Sequence, residues 1–202
     1  AFVDILGTPR STLAFVSANT DLVVRFEFNI NGGGDGFDVT SLTVESIADP
    51  DITLSDNGTQ VAAGNVNQGA VDHILSQTQV DVTTANAEVT EFAFATGSGN
   101  TYTAGDIDNF KLRYSTDATL DVSDATLATE TTIPAAGGTV TFSGLSQTIN
   151  SGSSGYFFVT ADIAASAVAG RTINAEIPTY TFASANINSN TMTAGGAQTI
   201  QS

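Results

Sequence analysis

Residues 21–30, DLVVRFEFNI, constrain the fold more than any other stretch of the chain. Leu22, Val24, Phe26, Phe28 and Ile30 fall on one side of an extended backbone, and Asp21, Arg25, Glu27 and Asn29 on the other. Side chains alternate faces along a strand and return every 3.6 residues along a helix, so this spacing suits a half-buried strand and spoils a helix. A period of two recurs in FDVTSLTVESI (37–47), HILSQTQVDV (73–82), AEVTEFAFAT (87–96), NFKLRYS (109–115), TVTFSGL (139–145) and GYFFVTADI (155–163). Between them NGGGDG (31–36), TGSGN (96–100), PAAGG (134–138) and NSGSSG (150–155) read as turns. The stretch ADIAASAVAG (161–170) has some helical propensity, but its length predicts one turn at most. Many short strands with polar turns between them predict an all-β, antiparallel β-sandwich.

Composition narrows the function classes. Twenty-one acids face five bases, for a net charge of −16. That field repels a phosphate backbone and an anionic membrane surface, which excludes nucleic acid as a partner. Hydrophobic residues make up 41% of the 202, enough for a proper core and too many for a disordered chain. Charged residues are only 13%, and Thr, Ser, Asn, Gly and Ala carry most of the polar surface, a balance associated with exported bacterial surface proteins. Cysteine is absent, so neither disulfides nor thiolate metal sites contribute. The first residue is Ala1, which we read as the processed end of a secreted chain; the expected location is extracellular or at the cell surface.

The leading segment AFVDILGTPRSTLAFV (1–16) is apolar but broken by Asp4, Gly7 and Pro9, so it cannot span a bilayer as a helix, and no membrane insertion is expected. Its first base is Arg10, so it lacks the charged start of a secretory signal. It reads as a strand in need of a partner, with Phe2, Val3, Ile5, Leu6, Leu13 and Phe15 as its contact side chains. A weak internal repeat places residues 7–28 over 58–79 and residues 38–46 over 88–96, although any two β-hairpins of like composition align comparably. The first copy stops near residue 50 and the second continues. We therefore divide the chain into an N-terminal β segment, 1–50, and a sandwich domain, 51–202. A few strands are marginal alone and present open edges, so those of 1–50 must join the sheets of 51–202 or of another molecule.

Catalytic constellations are missing from the pattern. His73 is the only histidine, and no G-x-S-x-G elbow accompanies it, so a packed or surface role is expected. There is no Trp to form sugar platforms beside a carboxylate pair. NGGGDG has neither the Lys nor the following helix of a phosphate loop. Calcium is the one metal ion to consider, with Asp117, Asp121 and Asp124 in one loop as candidate ligands. Asp49, Asp51 and Asp56, and Asp106 with Asp108, form two further acidic groups. Aspartate is also a common turn residue, and solvated turn acids are the simpler reading. Asn57-Gly58-Thr59 matches an N-glycosylation acceptor.

Three motifs carry a family resemblance. They are Asn109-Phe110-Lys111-Leu112 with Tyr114, Phe142 with Leu145-Ser146-Gln147-Thr148-Ile149, and Gly155-Tyr156-Phe157-Phe158-Val159 with Ala161-Asp162-Ile163. Over roughly residues 51–202 the chain resembles the immunoglobulin-like (Ig-like) β-sandwich modules of large secreted Bacteroidota surface proteins, of the sialidase N-terminal-like type. The resemblance implies a non-catalytic extracellular module and transfers no catalytic residue. The expected function is a non-enzymatic, pilus-like structural subunit that polymerises with itself, its N-terminal strand completing a sheet of the next subunit. The alternative is an adhesin or carbohydrate-binding module of a larger protein, with glycans or other cells as partners. Beyond calcium, no cofactor is expected.

Overall fold

The structure is a computed structural model and describes residues 48–202. The chain divides into residues 1–45 and 46–202. The strand candidates Phe2, Val3, Ile5, Leu6, Leu13 and Phe15, the stripe Phe26 and Phe28, and the first copy of the repeat lie outside the described residues.

The described residues are built almost wholly of strands: β1 (Asp51–Asp56), β2 (Gly64–Asn67), β3 (His73–Thr83), β4 (Ala87–Ala95), β5 (Ile107–Ser115), β6 (Ala125–Glu130), β7 (Thr139–Ile149), β8 (Ser153–Ile163), β9 (Thr172–Ile173), β10 (Thr179–Phe182), β11 (Asn186–Asn190) and β12 (Gln198–Gln201). They form a six-stranded sheet, β11-β1-β3-β8-β5-β6, and two three-stranded sheets, β10-β4-β7 and β2-β12-β9. Pairing is antiparallel except at β1–β11 and β2–β12. A bridge between Thr96 and Ala175 ties the end of β4 to the segment following β9. The expected all-β sandwich is the observed architecture.

Alternation explains the core. Val89, Phe92 and Phe94 of β4, with Val140 and Phe142 of β7, turn inward against Phe110, Leu112 and Phe157 of the large sheet, and all are nearly inaccessible to water. Phe94 meets Phe110 edge-on at 5.5 Å, and Tyr180 meets Phe92 and Phe157 the same way at 4.9 and 5.3 Å. Each such pair adds about 0.5–1.5 kcal/mol beyond the area it buries. The Tyr180 hydroxyl shares a 2.5 Å hydrogen bond with Thr78 on β3, which gives its one polar atom a partner. Burial pushes the Tyr180 hydroxyl's pKa upward, so it stays protonated.

Tertiary contacts settle the form of two segments. Residues 161–163 complete β8 and 164–170 form turns, while the one helical turn among the described residues is Ala104–Asp106. The cause is the Asp106 carboxylate, which accepts from both the backbone N–H and the hydroxyl of Thr103. Second, the polar, Gly-rich tail 191–202 is built into its own chain. β12 lies between β2 and β9 with Ile200 fully buried, so this strand is already paired on both edges.

Two glycines make that docking possible. A Cβ added at Gly195 would lie 1.8 Å from the carbonyl oxygen of Leu75, and one at Gly196 would lie 2.2 Å from the backbone nitrogen of Ala63. The backbones approach so closely that Gly195 donates to the Ala175 carbonyl at 2.9 Å and Gly196 to that of Val61 at 2.7 Å. Gly195→Ala is therefore expected to cost about 3 kcal/mol in urea unfolding by displacing the tail backbone. Gly99→Ala, where an added Cβ meets nothing within 4 Å, serves as the near-neutral control.

Candidate functional site: an open seam between two edge strands

The acidic surface follows from where the bases go. Lys111 and Arg113, two residues apart on β5, project to the same face of the sheet. Lys111 Nζ lies 2.7 Å from Asp162 of β8 and 3.0 Å from Asp72, and Arg113 Nη1 lies 2.7 Å from Asp72. Burial alone disfavours the Lys111 charge, but the bonds to Asp162 and Asp72 more than offset it and raise its pKa. Asp72 has φ of 53°, the left-handed region, and this network holds it there; its own N–H donates to Asp162 at 2.8 Å. Arg171 pairs with Asp106 at 2.6 Å. All three bases within residues 48–202 are thus engaged in ion pairs.

The calcium candidates do not converge. Arg113 Nη2 donates to the backbone carbonyls of Asp121 and Asp124 at 3.0 and 3.1 Å, so this loop wraps a guanidinium. The carboxylates themselves close local turns: Asp124 accepts from the Asp121 N–H at 2.6 Å, and Asp117 from the Thr119 N–H at 2.8 Å. Among the described residues no three His, Asp or Glu side chains are grouped to hold a metal ion. Of the other acids, Asp56 is engaged by Thr193 at 2.5 Å and Asp51 by Thr84 at 2.7 Å. Asn57 is buried and its amide nitrogen donates to the Ala118 carbonyl at 2.7 Å, so the folded chain does not offer it for glycosylation. His73 is packed: its Nε2 lies 3.3 Å from Gln198, whose amide also reaches the carbonyls of Ala62 and Gly196. Burial lowers its pKa and the Gln198 contact opposes this only in part.

Among the described residues β6 pairs only with β5 and β7 only with β4, so no described strand pairs the other edge of either. Both are bulged. Leu127 is the extra residue of β6 where its register against Leu112 and Arg113 shifts. In β7 the four-residue step from Ser143 to Gln147 faces a two-residue step, Val89 to Glu91, and Gly144 adopts φ of 69°. The bulges bring half-buried Leu127 and Leu145 to a cleft of about 200 Å³ whose walls are completed by Ala128, Ser143, Ser146 and Gln147. Beyond Gln147 the seam widens to about 490 Å³ between Tyr114, Thr116, Asn150, Ser154 and Tyr156. No lining residue of either cleft is charged. In a chain of net charge −16, an uncharged lining lowers the local repulsion that a second acidic molecule meets.

The sequence did not single out Leu127 or Leu145 as partners. The available signal was Gly144 inside a strand pattern, which marks a bulge. Opposing Leu127 to it required the fold.

No helix among the described residues is long and apolar enough to cross a membrane. No family model matches the chain, and no curated protein matches it. Among solved structures the chain is similar to one from a crystal structure of a CaDoc0917–CaCohA2 complex at pH 5.5, at 15% identity and a TM-score of 0.35, covering 74% of this chain and 99% of that one.

Acid should loosen the domain through Asp106, which is 2% exposed. Burial opposes its charge, but the N–H groups of Thr103 and Val168, Arg171 and the Thr103 hydroxyl outweigh it and hold the pKa at about 2. Its folded value is below its unfolded one, so its stabilisation is complete above about pH 4 and fades as pH falls toward 2. Asp106→Ala is expected to cost about 3 kcal/mol at pH 7, read by thermal unfolding, and to flatten the stability profile between pH 4 and 2.

Proposed function

We propose that the chain is a non-enzymatic, extracellular structural subunit that assembles with copies of itself into a filament, the leading strand of one copy completing a sheet of the next. A head-to-tail contact of this kind does not close on itself and therefore propagates. The single observation that carries the reading is that, among the described residues, no strand pairs the outer edges of β6 and β7, which border an uncharged cleft. Unpaired backbone of this kind is a template for a further strand. Two facts support it. The C-terminal strand is held within its own domain, which leaves the apolar, strand-patterned segment 1–16 as the donor. His73, Asp106 and Asp124 are held in structural bonds, to Gln198, Arg171 and the Asp121 N–H respectively.

Negative-stain electron microscopy of the full chain beside a chain lacking residues 1–12 tests this. Fibres are expected from the first and single particles from the second. Single particles from both would overturn the filament reading, and fibres from both would move the joint away from the leading strand.

The wider cleft favours a second reading, an adhesive module. Tyr156 with hydroxyls and amides from Thr116, Asn150 and Ser154 suits a neutral sugar better than a charged ligand. If that reading holds, titration calorimetry with neutral oligosaccharides detects binding that Tyr156→Ala reduces at least tenfold.

A further inference from the structure

We infer that the sandwich domain is a tension-bearing link: a pull delivered through its first strand and its last loads a parallel seam in shear, and that seam yields only as a whole. The inference does not depend on the filament reading, because a single copy of the chain suffices for it.

The seam joins the two ends of the domain to each other. Residues 50–68 run beside residues 186–201 in the same direction, first as β1 with β11 and then as β2 with β12. Asp51 lies opposite Asn186 at one end of the seam, and Asn67 opposite Gln201 at the other. Contact continues between the two ladders. The N–H of Thr191 donates to the Leu54 carbonyl at 2.9 Å, and that of Gly196 to the Val61 carbonyl at 2.7 Å. Thr193 clasps the Asp56 carboxylate twice, from its N–H at 2.8 Å and from its hydroxyl at 2.5 Å. Two strands in different sheets are thereby joined into one continuous line of bonds.

Direction decides how such a line is loaded. Because the segments are parallel, residue 50 and residue 201 stand at opposite ends of the seam. A pull on residues 49 and 202 acts along the strands and slides one segment past the other. One hydrogen bond contributes only about 1 kcal/mol, so bonds that open in turn resist little. Sliding strains the whole row together. Antiparallel segments would place both points of pull at one end of the ladder, where it unzips bond by bond.

Burial adds to the resistance. Ile52, Leu54 and Val66 from the first segment and Ile200 from the second are nearly inaccessible to water. Sliding draws them out of the core, at about 1.5–3 kcal/mol for each such side chain. β1 is held on its other edge by β3, and β12 by β9, and these antiparallel ladders also lie along the direction of pull.

The natural chain has no cysteine, so thiol handles define the points of pull. Two full-length variants are stretched in single-molecule force spectroscopy at one loading rate. Asp49→Cys/Ser202→Cys pulls along the seam, whereas Asn67→Cys/Ser202→Cys pulls β2 and β12 apart at their common end. All three positions are exposed, so the fold tolerates the changes, and residues 1–48 stay outside the loaded path in both. The first variant is expected to resist until one cooperative unfolding step, at a force at least about twice that at which the second first opens. Equal forces, a weaker first variant, or a first variant that gives way in successive small steps would overturn the inference.

Discussion

Backbone groups at the edge of a β-sheet must be paired, covered or made unattractive, and this constraint organises the domain. On one side of the sandwich β10 leads through residues 183–185 into β11, which pairs parallel to β1 and caps the six-stranded sheet with a short polar strand. On the other side, among the described residues, β6 and β7 end their sheets without a further partner, and bulges at Leu127 and at Gly144–Ser146 distort both edges. A bulge interrupts the ladder and re-aims side chains, so it restrains indiscriminate pairing and shapes a specific pocket in the same stroke.

Scarcity of bases gives the surface its character. Within the described residues Lys111 and Arg113 share Asp72, and Arg171 holds Asp106. Each is partly or largely buried, where an unpaired partner charge would be destabilising. The remaining acids face solvent or close turns, and none of them lines the two clefts beside β7. Salt screens their field over about 8 Å at physiological ionic strength, so close packing of many copies favours contact through neutral patches. In the acidic loop considered for calcium, Arg113 takes the backbone carbonyls of Asp121 and Asp124.

Much of the fold was legible because strand alternation is a local property. The inward faces of HILSQTQVDV, AEVTEFAFAT and GYFFVTADI follow from their spacing, and Phe92, Phe94 and Phe157 are core residues as that spacing implies. The acidic surface was legible from counting. The short strands β2, β9, β11 and β12 were not, because two to five mostly polar residues carry no periodic signal and acquire strand geometry only from their neighbours. The tail is the clearest case. TMTAGGAQTIQS looks too polar to order itself, yet the absence of side chains at Gly195 and Gly196 lets its backbone bond to Ala175 and Val61 and carry Ile200 into the core.

The sequence by itself determined the all-β class, the turn positions, the aromatic interior and the negative charge, since each depends on spacing or on sums over residues. Tertiary structure alone decided which edges stay open, that Leu127 and Leu145 oppose each other, that Asn57 is buried, and that the acidic loop encloses Arg113. Those outcomes depend on strands distant in the chain coming together, and no local pattern encodes which pairs will meet.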